Sequence, residues 1–167
     1  IFRNLHVLIR SPGHIRAFEA SDVSPVLAQQ SMRELKLTKR TFADVVDAAS
    51  FAVFRAGYRS GFGADGDHLK TVEDISGALE TGYSMITLDC SDHIHKEASD
   101  APGIYGDAIA FAKRVYDEFF AAGKFAADLE ISIDETDTPT SPEQHRWIAR
   151  ELLSRGVRAV GMCLGDG

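Results

Sequence analysis

The feature that most constrains this chain is a hydrophobic period that switches back and forth between two and about 3.6 residues. "DLEISIDE" (128–135) alternates, with Leu129, Ile131 and Ile133 on one face, which predicts a strand. "SPEQHRWIARELLSRG" (141–156) opens with Ser141 as a cap, Pro142 at the first helical position and Gln144 reaching back, and stops at Gly156. "TFADVVDAASFAVFRAGY" (41–58) spaces Phe42, Val45, Val46, Ala49, Val53 and Phe54 three or four apart, an amphipathic helix capped by Thr41 and Asp44. "TVEDISGALETG" (71–82) predicts a helix from Thr71 to Gly82, and "IYGDAIAFAKRVYDEFFAAG" (104–123) a longer one ending on Gly123. "PVLAQQS" (25–31), "YSMITLDCS" (83–91) and "VRAVGMCL" (157–164) are short apolar runs of strand length.

The order is strand, helix, strand, helix, strand, helix, strand, helix, strand, the second strand being counted before the charged cluster at 65–70. Such alternation means parallel βαβ units with right-handed crossovers. A doubly wound sheet and a (β/α) barrel both satisfy it, and in either the functional face lies at the C-terminal ends of the strands.

That face collects the polar residues. Gln29, Gln30, Arg33 and Glu34 follow the first strand, and Asp65, Asp67, His68 and Lys70 the second, within "GFGADGDHLKT" (61–71). Asp89, Asp92 and His93 follow the third, and Asp134, Glu135 and Asp137 the fourth. The opposite ends, at Gly82–Tyr83, Lys124–Phe125 and Gly156–Val157, carry nothing comparable. Simpler roles exist for several of these residues. Asp92 and Thr71 suit helix caps, Gln29 and Gln30 suit backbone contacts in a loop, and His6, His14 and His145 suit surface or packing positions. "DGDHLKTVEDI" lacks the spacing of an EF-hand. Together, His68, His93 and the carboxylates point to a divalent metal such as Mn, Ni, Co, Zn or Mg. No GxGxxG or Walker motif argues for a nucleotide, and no local signature for a Ser/His/Asp nucleophile.

Composition narrows the partners. The 167 residues suit one domain, and a net charge of −7 lacks the basic face that nucleic acid requires, while local arginines and lysines leave an anionic substrate open. Cys90 and Cys163 form no CxxC motif and suggest a reducing, cytoplasmic compartment without disulfides. No apolar run approaches the ~20 residues of a membrane span. "IFRNLHVLIRSPGH" reads poorly as a signal peptide, and both ends read as cut.

"SPGHIRAF", "PVLAQQSMRE", "GFGADGDHLKTVED", "DCSDHI" and "DETDTPTSPEQH…ARELLSRGV" together resemble the tagaturonate epimerase family, in the family's order and over nearly the whole chain. The resemblance implies a metal-dependent (β/α)-barrel isomerase of hexuronate catabolism that interconverts D-tagaturonate and D-fructuronate. These ketohexuronates differ at a carbon beta to the ketone, so the economical route is retro-aldol cleavage, rotation of the aldehyde fragment and aldol rejoining; a transient oxidation is the other route. The implied metal ligands are His68, His93 and Glu135, with Asp134 and Asp67 behind them. Glu34, Asp92 and Asp67 are the implied acid–base groups. Arg33 or Lys70 would clamp the substrate carboxylate, with Gln29 and Gln30 also on the substrate. Family members are longer, so residues 1–167 are expected to form one partial barrel of about five βα units. The stretch between "DCSDHI" and "IYGDAIAF" is shorter than the family's, and Leu35 and the final "CLGDG" depart from its pattern. Two alternatives stand beside the epimerase: a metal-dependent sugar-acid aldolase, and an inactive part-barrel whose open edges invite self-association.

Overall fold

The structure, a computed structural model, describes residues 13–19, 21–134 and 139–165. After a short helical segment at 13–18 come β1 (Val26–Ser31), α1 (Met32–Thr38), α2 (Phe42–Ala56), β2 (Gly63–Leu69), α3 (Val72–Thr81) and β3 (Met85–Asp89). A single 3₁₀ turn at Ser91–His93 leads to α4 (Ala101–Phe119), β4 (Asp128–Ile133), α5 (Pro142–Ser154) and β5 (Gly161–Leu164). The five strands are all parallel and lie in the order β1-β2-β3-β4-β5. A doubly wound sheet needs a reversal of strand order, which is absent from this sheet. Sequential order with right-handed crossovers keeps the connecting helices on one side, which is the wall of a (β/α) barrel.

The alternation of each strand divides the sheet into two chemically different faces. On the helix side, Ala28, Ala64, Ile86, Leu88, Leu129, Ile131 and Ile133 are buried against Val45 and Ala49 of α2, Ile75 and Ala78 of α3, Ile109 and Ala112 of α4, and Ile148 of α5. Removing that apolar area from water stabilises the arc at roughly 25 cal/mol per Å². The other face carries Gln29, Asp65, Thr87 and Glu130 as one connected band. The expected caps form: Thr41 with Asp44 and Ser141 with Gln144 are reciprocal capping boxes, Thr71 caps α3, and Gly82 closes it at φ +97°.

Three expectations need correction. "GADGDHL" is not a loop after a strand but β2 itself; Gly and Asp are poor strand formers, and central ladder pairing on both sides overrides that preference. A helix unforeseen in the sequence, α1, follows β1 directly, started by a Ser31–Glu34 capping box. Helix α4 begins at Ala101 rather than Ile104, with Asp100 accepting from the Gly103 amide, and ends at Phe119 rather than Gly123.

Candidate active site

A cleft of about 540 Å³ opens at the C-terminal ends of β1, β2 and β3. Arg33 and Lys36 of α1 line one wall, Asp67, His68 and Lys70 the floor, and Asp74, Asp89 and Asp92 the far side. Its volume lies in the range of small-molecule sites.

The local backbone of β2 makes the central pair. Neighbouring residues of a regular strand point to opposite faces. His68 instead sits at φ +52°, in the left-handed region, where the register between β2 and β3 shifts between Gly66 and Leu69. The irregularity breaks the alternation, so Asp67 Oδ1 and His68 Nδ1 lie 2.8 Å apart while Leu69 returns to the core. Such strain in a non-glycine residue is characteristic of functional positions. Asp67 accepts the Nδ1 proton and thereby leaves Nε2 as the ring nitrogen facing Asp134 Oδ2 and Ser132 Oγ, each at 3.5 Å. Ser132, fully buried, donates to Asp134 Oδ1 and fixes that carboxylate. Burial works against the charged forms of both groups, and the charged hydrogen bonds outweigh it. The His68 pKa is raised, chiefly by Asp67 and then Asp134, and that of Asp134 is lowered by the Ser132 hydroxyl, its own backbone amide and His68.

Lys70 is the second centre. Its Nζ donates to Ser91 Oγ at 2.9 Å and Asp92 Oδ1 at 3.0 Å, and lies 3.3 Å from Asp89 Oδ2. Asp89 is 1% exposed, and its Oδ1 accepts from the Ser91 amide. Burial opposes the ammonium charge of Lys70, but Asp92 and Asp89 more than offset it and raise its pKa. A cation so engaged balances the buried acid at the end of β3.

Below the rim runs the polar band. Gln29 Nε2 donates to Asp65 Oδ2 at 3.2 Å, and Thr87 Oγ1 lies 3.2 and 3.3 Å from the Asp65 oxygens and 3.1 Å from Glu130 Oε2. One hydroxyl proton cannot serve three carboxylate oxygens. The band is satisfied when a carboxyl also carries a proton, in keeping with an Asp65 pKa pushed up to about 6 by burial and the nearby Asp67 charge.

The structure sorts the sequence-selected residues as follows. Asp67, His68 and Asp134 come together, and Arg33, Lys70 and Asp92 line the same cleft. His93 lies elsewhere, its ring 4.4 Å from that of Phe111 on α4. Among the described residues no three His, Cys, Asp or Glu side chains gather as a metal set. Glu135 and Asp137, like His6, lie outside the described residues. Glu34 is turned to the Ser31 amide at 3.1 Å as part of the α1 capping box, which the carboxylate of an N3 residue is placed to do. Gln29 faces the polar band, whereas Gln30 is paired beside Gly66, whose missing side chain would point at Leu69, Ile86 and Ala78 on the helix side. The two glutamines therefore serve opposite faces. Ser132 and Lys36 were not foreseen, nor the Thr87–Glu130 link. A sequence signal for most of them existed: Thr87, Glu130 and Ser132 each stand between two apolar residues of an alternating run.

A one-sided sequential parallel arc with its acids, imidazole and cations gathered beyond the strand ends has the build of a (β/α)-barrel enzyme. The sequence profile of UxaE, tagaturonate epimerase, matches residues 7–103 and 100–164. The chain belongs to the tagaturonate epimerase family. It is 35% identical to the tagaturonate/fructuronate epimerase of Thermotoga maritima, over 93% of this chain and 41% of that protein. The glycerol-bound crystal structure of fructuronate-tagaturonate epimerase UxaE from Cohnella laeviribosi superposes with a TM-score of 0.89 at 36% identity, covering 94% of this chain and 41% of that one. The YdjI aldolase of Escherichia coli K12 shares the fold alone, with a TM-score of 0.61 at 17% identity over all of this chain and 51% of that one. The chain thus spans about two fifths of the epimerases it matches. The Thermotoga alignment runs over 199 positions, more than this chain contains, and the profile match breaks into two segments that meet at 100–103, the N-terminus of α4. The shortened stretch expected from the sequence lies beside that point. Among the described residues no helix is long and apolar enough to cross a membrane.

Proposed function

We propose that this chain is part of a cytoplasmic, metal-dependent epimerase that interconverts D-tagaturonate and D-fructuronate by retro-aldol cleavage and rejoining. The observation that carries the reading, beside family membership, is the Asp67–His68–Asp134 group at the strand ends, held by a left-handed residue. Its donor chemistry fits a divalent cation of the Mn, Ni, Co or Zn kind. Asp67 accepts from His68 Nδ1 and so orients the ring with Nε2 toward Asp134, whose carboxyl pKa is lowered; a cation binding between them would take the place of any proton on Nε2. His68 and Asp134 would hold the ion, with Glu135 as a further ligand; when bound, it would polarise the substrate ketone and so favour breaking the bond between the α and β carbons.

The chain's own residues supply the rest. Asp92 and Asp67 line the cleft and are the carboxylates that take the proton of the reacting hydroxyl and return it after rotation of the aldehyde fragment. Lys70, tied to Asp89 and Asp92, holds the turn after β3 in place. Arg33, through its planar fork, grips the substrate carboxylate. Proton NMR of D-tagaturonate incubated with the protein and Mn²⁺ or Ni²⁺, against a chelator-treated control, tests the reading. Metal-dependent appearance of D-fructuronate is expected; three-carbon products would make the protein an aldolase instead, and no conversion would overturn both. His68→Ala is expected to remove most of the bound metal measured by mass spectrometry.

A further inference from the structure

The cleft has two walls of opposite charge, and only one of them is neutralised from within. On the acidic wall, Lys70 is engaged by Asp89, Ser91 and Asp92. On the other wall stand Arg33 and Lys36, three residues apart on α1 and so on adjoining positions of one helix face. Among the described residues neither has an ion-pair partner, although four aspartates line the same cleft. Their helix is anchored at both ends, by the Ser31–Glu34 capping box and by Lys39 at φ +53°, so the two side chains start from fixed positions.

Two cations opposite the aspartates of the far side suit a ligand with an anionic end and a hydroxyl-rich end. We propose that Arg33 and Lys36 together set the specificity of this cleft for sugar acids over neutral sugars. Lys36 takes the place at the substrate carboxylate that sequence reasoning gave to Lys70. The inference rests on the proposed epimerase reading for the identity of the sugar acid. Arg33 contributes a two-pronged hydrogen-bonding geometry and Lys36 a mobile point charge.

The test is calorimetric binding to the metal-loaded protein of D-tagaturonate and of D-tagatose, its analogue lacking the carboxylate. The wild type is expected to prefer the acid. The Arg33→Met/Lys36→Met double variant is expected to bind D-tagaturonate at least about tenfold more weakly, with D-tagatose unchanged; tenfold in Kd is about 1.4 kcal/mol. Raising the salt is expected to weaken only the acid's binding to the wild type. The Arg59→Met/Arg158→Met double variant, at two exposed residues outside the cleft lining, removes the same two charges, controls for net charge and is expected to change neither affinity. Equal D-tagaturonate affinity in the double variant and the wild type would overturn the inference while leaving the epimerase reading intact. Binding that depends on Arg33 and Lys36 without turnover would leave the inference and remove the epimerase. No D-tagaturonate binding by the wild type would remove both.

Discussion

At the scale of single residues, Asp65 carries the clearest measurable consequence. Its folded-state pKa of about 6 stands above the ordinary 3.8 because the carboxyl is buried beside Asp67, with Glu130 adding to the effect. A group whose folded pKa is raised contributes stability that is fully present below the unfolded value, here about 3.8, and is lost as pH rises through about 6. A shift of this size corresponds to at most about 3 kcal/mol. Asp65→Asn keeps the shape and the partners Gln29 and Thr87 but cannot ionise. Urea unfolding between pH 4 and 8 is expected to show a flatter stability profile for the variant, which becomes the more stable protein at pH 8. A variant with an unchanged profile would mean that Asp65 is not the proton carrier of the band. His68 shows the converse use of a conformational cost: its left-handed backbone places an imidazole beside an adjacent carboxylate, an arrangement a regular strand forbids.

At the scale of elements, Gly66 and Ser31 connect the strands to the helices. A β-carbon on Gly66 would lie 2.9 Å from Leu69 Cδ1, 3.1 Å from Ile86 Cδ1 and 3.4 Å from Ala78 Cβ, all in the packed layer between β2, β3 and α3. Gly66→Ala is therefore expected to destabilise the fold by about 1–3 kcal/mol, read as a lower urea midpoint with an unchanged slope. Ser31→Ala removes the cap of α1 and is expected to cost about 1 kcal/mol, and D-tagaturonate binding is expected to weaken with it because α1 carries Arg33 and Lys36. These two positions also mark how far local sequence rules reach. Thr41–Asp44, Ser141–Gln144 and the Leu129–Ile131–Ile133 alternation were legible because each element satisfies its own local chemistry. The strand β2 was not, because Gly63, Asp65, Gly66 and Asp67 all disfavour extended structure and pair only through neighbours distant in sequence. The same holds at the site. The rim position of Asp67, His68, Lys70 and Asp92 followed from strand-end placement, while His93 packing on Phe111 and Lys70 pairing with Asp89 are tertiary contacts that spacing does not encode.

At the scale of the whole molecule, stability is distributed unevenly across the arc. β3 and β4 are flanked on both sides and keep their core-facing residues buried, as in Ile86, Leu88, Leu129, Ile131 and Ile133. β1 and β5 each have one neighbour in the described sheet, with Val26 about half exposed and all four residues of β5 only partly covered. Local opening free energies follow such differences, because an end strand gives up fewer ladder bonds and less buried apolar area when it detaches. Amide hydrogen exchange is expected to be slowest in β3 and β4 and faster in β1 and β5, with the outward-facing amides of the two end strands exchanging first. The site draws on both regimes: Asp89 and Ser132 stand on the slow centre, whereas Arg33 and Lys36 follow the faster β1. Addition of D-tagaturonate is therefore expected to slow exchange most at the junction of β1 and α1, where a bound carboxylate would couple the end strand to the centre. Protection of β1 and β5 equal to that of β3 in the free protein would show instead that both end strands are paired in solution, by other residues of the protein or by a second copy.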